Sequence, residues 1–155
     1  MSRVADFDRT DLGGTEAVHG AARGVLVSHG TLAEGLVDAV RRIADVEPGA
    51  LEPLSNDGLG REALCEEIGR LTGEGPAVIF TDLAAGSCAL AARVTCRGCT
   101  GAAVVSGVNL PMLLEFVFNR HLPLRELVPR LTEKGCAAIE AVETRGVHGD
   151  RSVSD

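Results

Sequence analysis

His29 is, by type and position, the residue of this chain most suited to chemistry. It follows a short β-branched run, Gly24–Ser28, and precedes Gly30 and Thr31. A neutral imidazole is a nucleophile through whichever nitrogen carries no proton. A carboxylate bonded to the other nitrogen fixes that tautomer and stabilises positive charge as the ring reacts. Asp82, directly after the apolar run Ala77–Thr81, is the candidate carboxylate. Gly86 and Ser87 follow at the start of an Ala-rich stretch. At a helix start they would offer backbone N–H groups, a hydroxyl and the positive end of the dipole, which suits a phosphoryl group. A third run, Ala102–Ser106, ends in Ser106-Gly107-Val108-Asn109. Together these residues could carry a phosphohistidine.

Positioning them requires a particular order of elements. Strands are expected at 24–28, 50–54, 77–81 and 102–106, the second confined to an edge by Pro53. Leu32, Leu36, Val40 and Ile43 recur at helical spacing, as do Leu64, Ile68 and Leu71. Between them, 55–58 has turn chemistry. Ser87 to Arg97 is expected as a helix, and Pro111 suits the first turn of another carrying Met112, Leu113, Phe116 and Val117. A last helical stretch after Pro123 is expected to bend or restart at Pro129, with Cys136–Ile139 as a short final strand. Strand and helix alternating four times predicts an α/β fold, an open doubly wound, mainly parallel sheet with helices on both faces. Ligands of such sheets collect beyond the carboxyl ends of the strands, where strand order reverses. In the flavodoxin-like order the first and third strands are neighbours there, so His29 and Asp82 would face each other.

Composition bounds the rest. A chain of 155 residues fits one domain. Polar tails are expected at 1–23 and 144–155 around a folded unit at 24–143. A net charge of −7, with no Trp, no Tyr and four Phe, excludes a nucleic-acid platform. The most apolar stretch, 102–118, is broken by Asn109, Pro111 and Glu115, so it is no membrane span. Five cysteines, with no apolar leader in the first residues, read as reduced thiols of a cytoplasmic protein.

Val27-Ser-His-Gly30, Thr81-Asp82 with Gly86-Ser87, and Ser106-Gly-Val-Asn-Leu-Pro-Met-Leu-Leu-Glu115 resemble the IIA component of the mannose family of the phosphoenolpyruvate-dependent sugar phosphotransferase system. The resemblance covers about Gly24 to Ala141, and the 107–112 run is its most specific piece. It implies a phosphotransferase component in which His29 accepts a phosphoryl group from phospho-HPr and passes it to a IIB component for sugar uptake. It implies that Asp82 orients the imidazole, and that Gly30, Gly86, Ser87, Ser106 and Asn109 surround the phosphoryl group. It further implies a homodimer with an exchanged last strand and contact with the membrane only through transporter components. No cofactor and no metal belong to this reading.

This sequence also departs from the family pattern. Ala84, Ala85 and Gly86 stand where an aromatic and a double glycine are usual, Cys88 replaces a proline, and Thr31 replaces a frequent tryptophan. By the resemblance these positions line the partner-facing surface and bear on which partner binds. A regulatory interaction module of the same fold, without sugar transport, is the alternative function. A flavin- or nucleotide-binding protein ranks behind, since a Gly- and Ser/Thr-rich phosphate loop and stacking aromatics are missing. A receiver domain would need clustered acids where Ser28-His29 stands.

Other residues read more plainly. Cys96-Arg-Gly-Cys99 has zinc or redox spacing, but it is a single pair at a helix end, which favours packing or surface thiols. Asn56 and Asp57 are turn formers. Asn109 lies near the site, although capping the following helix is its leading role.

Overall fold

The apolar runs become four strands: β1 (Arg23–Ser28), β2 (Leu51–Ser55), β3 (Ala77–Thr81) and β4 (Ala102–Ser106). Five helices connect and follow them: α1 (Leu32–Ile43), α2 (Arg61–Thr72), α3 (Ser87–Arg97), α4 (Leu110–Asn119) and α5 (Leu124–Ala137). The computed structural model describes residues 20–99 and 101–143, so the expected tails lie, apart from 20–23, outside the described residues. Ala22 is buried and its N–H donates to the Arg120 carbonyl at 2.7 Å, so the folded unit reaches back past β1.

All pairings are parallel and the order is β2-β1-β3-β4. The chain starts in the middle, steps outward to β2, then crosses to β3 and β4. The reversal falls between β1 and β3. Pro53 sits on the edge strand, as its missing N–H requires. Register levels the strand ends: Ser28 lies opposite Ser55, Val27 opposite Thr81, and Thr81 opposite Ser106. The residues that follow the strands therefore emerge on one rim.

Side chains alternate strictly between two cores. Leu26, Val78, Phe80, Ala103 and Val105 face α1, α4 and α5, whereas Val25, Val27, Ile79 and Val104 face α2 and α3. Both faces being covered explains why the strands read as continuous apolar runs. Phe80 meets Phe116 edge-on, with centroids 5.3 Å apart and planes at 80°, the favoured arrangement of ring quadrupoles.

Three expectations change. In α1 the buried face is Ala33, Val37 and Val40, while Leu32 and Ile43 are 47% and 59% exposed. The phase of this helix is set by the turn out of β1, not by where its largest side chains fall. α5 does not restart at Pro129, which stands inside one continuous helix. Cys136–Ile139 is not a strand: Cys136 and Ala137 complete α5, and the Ala138 and Ile139 N–H groups close its last turn on the Lys134 and Cys136 carbonyls. Alanines beside Glu133 and Lys134 favour helix, and helical bonds form locally where a strand would need a partner. An exchanged last strand is therefore not found at these residues.

Candidate functional site

His29 leaves β1 at the carboxyl end of the sheet and turns at once. Gly30 takes φ +55°, a left-handed value that side chains with a Cβ adopt at a cost, and this reverses the chain into α1. Ser28 secures the turn from beneath: its buried hydroxyl accepts the Ala33 N–H at 2.7 Å, doing the capping that Thr31 does not. The backbone under the imidazole is thereby fixed, while its side chain remains 48% exposed.

Asp82 arrives from β3, directly across the reversal. Its Oδ2 accepts the His29 backbone N–H at 3.0 Å and lies 2.8 Å from the ring Nδ1. Its Oδ1 accepts the Leu83 N–H at 2.9 Å. An ionised carboxylate only accepts, so Nδ1 must carry the ring proton and the Nε2 of a neutral ring holds the lone pair. Partial burial opposes ionisation of Asp82, but the bonds from His29 and Leu83 outweigh it and hold the carboxyl below its ordinary range. In chemical terms the pair has the arrangement of an oriented nucleophile with a counter-charge behind it.

The start of α3 forms the third side. Gly86 takes φ +96° and ψ −172°, which in practice only glycine adopts, and Ser87 begins the helix. The first turn of α3 leaves N–H groups without intrahelical acceptors, at the positive end of the dipole. Arg93 braces the approach by donating to the Ala84 carbonyl at 2.9 Å. Cys88, on this turn, is buried with its Sγ 4.0 Å from the His29 Nδ1. Burial, and the nearby Asp82 charge, push this thiol up and keep it protonated at neutral pH.

The expected site residues divide into two groups. His29, Gly30, Asp82, Gly86 and Ser87 share one rim. Ser106 lies level with Thr81 at the same strand ends, and it and Asn109 spend their side-chain polar atoms on bonds within the fold. Thr81 Oγ1 lies 2.8 Å from both the Leu83 carbonyl and Ser106 Oγ; its single proton goes to the carbonyl, so Ser106 donates to Thr81. Asn109 caps α4, its Oδ1 accepting the Met112 N–H at 3.1 Å, and its Nδ2 donates to the Gly135 carbonyl at 2.9 Å. Both of its polar atoms are committed to the fold, as the capping role expects.

Asn56, a turn former by composition, also reaches the site. It follows β2 on the same rim, its N–H donates to the Ser28 carbonyl at 3.0 Å, and its Nδ2 donates to Ser87 Oγ at 3.4 Å. Its Oδ1 is buried without a partner. Its position directly after the carboxyl end of β2 is the sequence signal for it, the same one that marks His29 after β1 and Asp82 after β3. Cys96, by contrast, donates to the Ala102 carbonyl at 3.3 Å, and burial pushes its thiol up, as does neighbouring Cys99. This is a packed thiol. No helix among the described residues is long and apolar enough to cross a membrane.

A four-stranded parallel sheet ordered β2-β1-β3-β4, covered on both faces, has solved counterparts. The mannose/sorbose specific IIA subunit of the phosphotransferase system from Enterococcus faecalis superposes with a TM-score of 0.71 at 22% identity, covering 81% of this chain and 98% of that one. A phosphotransferase system component EIIA from Streptococcus agalactiae gives 0.72 at 21% identity, covering 77% and 96%. A sigma-54 interaction domain protein from Enterococcus faecalis shares the fold at 8% identity, with a TM-score of 0.64 over 76% and 93%. No functionally curated protein matches the sequence significantly. Residues 24–129 match the family described as PTS system fructose IIA component, EIIA-man. Fold and family match define a phosphotransfer component of a sugar phosphotransferase system. The chain belongs to the EIIA-man family.

Proposed function

We propose that this protein is a cytoplasmic phosphocarrier that accepts a phosphoryl group from phospho-HPr on His29 Nε2 and passes it to a IIB component for sugar uptake. The carrying observation is the 2.8 Å approach of Asp82 Oδ2 to His29 Nδ1 at the sheet's reversal point. In the transfer, the Nε2 lone pair attacks phosphorus as the bond to the donor nitrogen breaks, and that nitrogen keeps the electron pair. The His29 ring gains positive charge with Nδ1 still protonated, and Asp82 stabilises it. Gly30, in the turn after β1, and Gly86 and Ser87, at the start of α3, take the phosphoryl oxygens, with the free amides of that helix start facing them. Passing the group to IIB reverses the step. Leu32, three residues after His29, and Leu83, directly after Asp82, are 47% and 58% exposed and supply apolar surface for docking. The family resemblance adds a homodimer to this reading.

The test is labelling of the full chain with phosphoenolpyruvate, enzyme I and HPr. One phosphoryl group per chain, labile in acid and stable in alkali, is expected. His29→Ala and His29→Gln should keep the parental circular dichroism and take no label. Labelling of either folded variant would overturn the assignment. A chain that accepts the group yet fails to pass it to any IIB partner would favour the regulatory module instead.

A further inference from the structure

Three potential ligands of a soft-to-borderline cation meet at the candidate site. His29 Nδ1, an Asp82 carboxylate oxygen and Cys88 Sγ all lie within 4.8 Å of one another. Among the described residues, no other set of His, Cys, Asp or Glu side chains has this property. The phosphotransfer reading needs His29 and Asp82 but gives the thiol no task. From this geometry we infer that His29, Asp82 and Cys88 form an inhibitory zinc site, whose occupancy removes the nucleophile of phosphoryl transfer. The inhibitory consequence rests on His29 being the phosphoryl acceptor; the binding site itself does not.

The donor set selects the metal. One imidazole nitrogen, one thiolate and one carboxylate oxygen suit Zn2+, whereas Mg2+ and Ca2+ take oxygen ligands almost exclusively. Tetrahedral zinc with three protein ligands holds their donor atoms about 3.3–3.6 Å apart, leaving a fourth position for water. Here Nδ1 stands 2.8 Å from the Asp82 oxygen and 4.0 Å from Sγ. Adjustments of under an ångström in each of those separations, plus an inward turn of the thiol toward the carboxylate, close the site. The half-exposed imidazole provides the entry side. Asp82 and His29 are already held in place by backbone bonds to the carboxylate, so little ordering remains to be done on binding.

The consequence follows from proton positions. In the free protein Nδ1 carries the ring proton and Nε2 the lone pair. Zinc bonds to a nitrogen lone pair, so on Nδ1 it displaces the proton, which moves to Nε2 through water. Cys88 gives its thiol proton to solvent and binds as thiolate. One proton is released per zinc bound, no electron is transferred, and every ligand bond is accounted for. The ring then has zinc on one nitrogen and hydrogen on the other. It has no lone pair for phosphorus. Conversely, a phosphoryl group on Nε2 leaves Nδ1 protonated and closed to the metal, so the two states exclude each other.

Co2+ and Zn2+ titrations of the reduced full-length chain test the site without any phosphotransfer partner. Expected are one Co2+ per chain with thiolate-to-cobalt absorption and intense tetrahedral d–d bands, displacement by Zn2+, and release of one proton. Cys88→Ala and the near-isosteric Cys88→Ser, each checked for parental circular dichroism, should weaken binding by more than about tenfold, the lower range for even an indirect partner of a metal. The Cys96→Ser, Cys99→Ser double variant should bind as the parent does. Nitrogen-15 spectra of His29 should show the proton on Nδ1 in the free protein and on Nε2 with zinc. Zinc should also stop labelling by phospho-HPr, with recovery on adding chelator. Absence of a thiolate–cobalt band, or parental binding by both Cys88 variants, would overturn the site. If His29 proves not to accept phosphate, the titrations and the tautomer change still decide whether the metal binds.

Discussion

His29 and Asp82 meet twice through a single oxygen: Asp82 Oδ2 takes both the backbone N–H and the ring Nδ1–H of His29. One contact fixes where the residue sits and the other fixes which way the ring faces. A carboxylate that only touched the ring could follow it as it rotated. This one cannot, because its second bond, and a third from Leu83 N–H to Oδ1, anchor it to the backbone.

Replacing Asp82 by Asn should separate those roles. The amide oxygen can still accept a bond from His29, but the negative charge behind the ring is gone and the tautomer is no longer enforced. Phosphotransfer from HPr should slow on the order of 10²–10⁴-fold, as for loss of a positioned acid–base partner. The midpoint of urea unfolding should shift little. A parental transfer rate in the rapid-quench assay would contradict the role given to Asp82.

Asn109 makes a contrasting prediction. Its oxygen caps α4 and its amide reaches the Gly135 carbonyl on α5. Asn109→Ala should cost about 1–2 kcal/mol in urea unfolding. Asn109→Asp keeps an acceptor for the Met112 N–H but loses the donor to Gly135, so it should fall between parent and Ala. Both should accept the phosphoryl group at close to the parental rate while folded. A transfer defect in Asn109→Asp beyond its loss of folded protein would show that this residue also acts at the site.

Much of this arrangement was legible in the chain itself. β1, β3 and β4 are contiguous apolar runs because both sheet faces are buried, and that pattern needs no tertiary information. The strand-end rule then put His29 beside Asp82. What the pattern left unread depends on three-dimensional phase and partners. Leu32 and Ile43 are apolar and helically spaced, yet exposed, because the turn at Gly30 rotates Ala33 and Val37 inward instead. Cys136 and Ala137 could belong to strand or helix by composition, and local hydrogen bonding decided for helix. Asn56 read as a turn former because its link to Ser87 spans 31 residues. Cys88 was visible as a substitution, but its approach to the imidazole depends on how α3 leans on the sheet.

Gly24 tests the packing at the end of β1 away from the site. A Cβ there would lie 2.7 Å from Leu51 Cδ1 and 2.7 Å from Phe116 Cε1. Both side chains are fully buried, and Phe116 is held edge-on against Phe80. Gly24→Ala should therefore destabilise the fold by about 1–3 kcal/mol through overpacking. Adding Leu51→Val should recover part of that loss, and no recovery in thermal unfolding would mean the ring, not the leucine, sets the limit.

Assembly is the last expectation. The two sheet edges differ: β2 carries Pro53 and Glu52, which discourage pairing, whereas β4 is Ala102-Ala-Val-Val-Ser106 with neither a charge nor a proline. An undefended edge of that kind invites cover from a second subunit in a symmetric dimer. Beyond α5, Ile139 and Val142 stand 78% and 84% exposed on a segment unpaired with any described strand. If this segment supplies the cover, the full chain should sediment as a dimer. The double variant Ile139→Asp, Val142→Asp should shift toward monomer at the same concentration, because burying two carboxylates at an interface is strongly unfavourable. Its circular dichroism should match the parent, since neither side chain packs in the cores. Parental protein that sediments as a monomer at every concentration would remove the dimer. A double variant that remains fully dimeric would place the contact away from Ile139 and Val142.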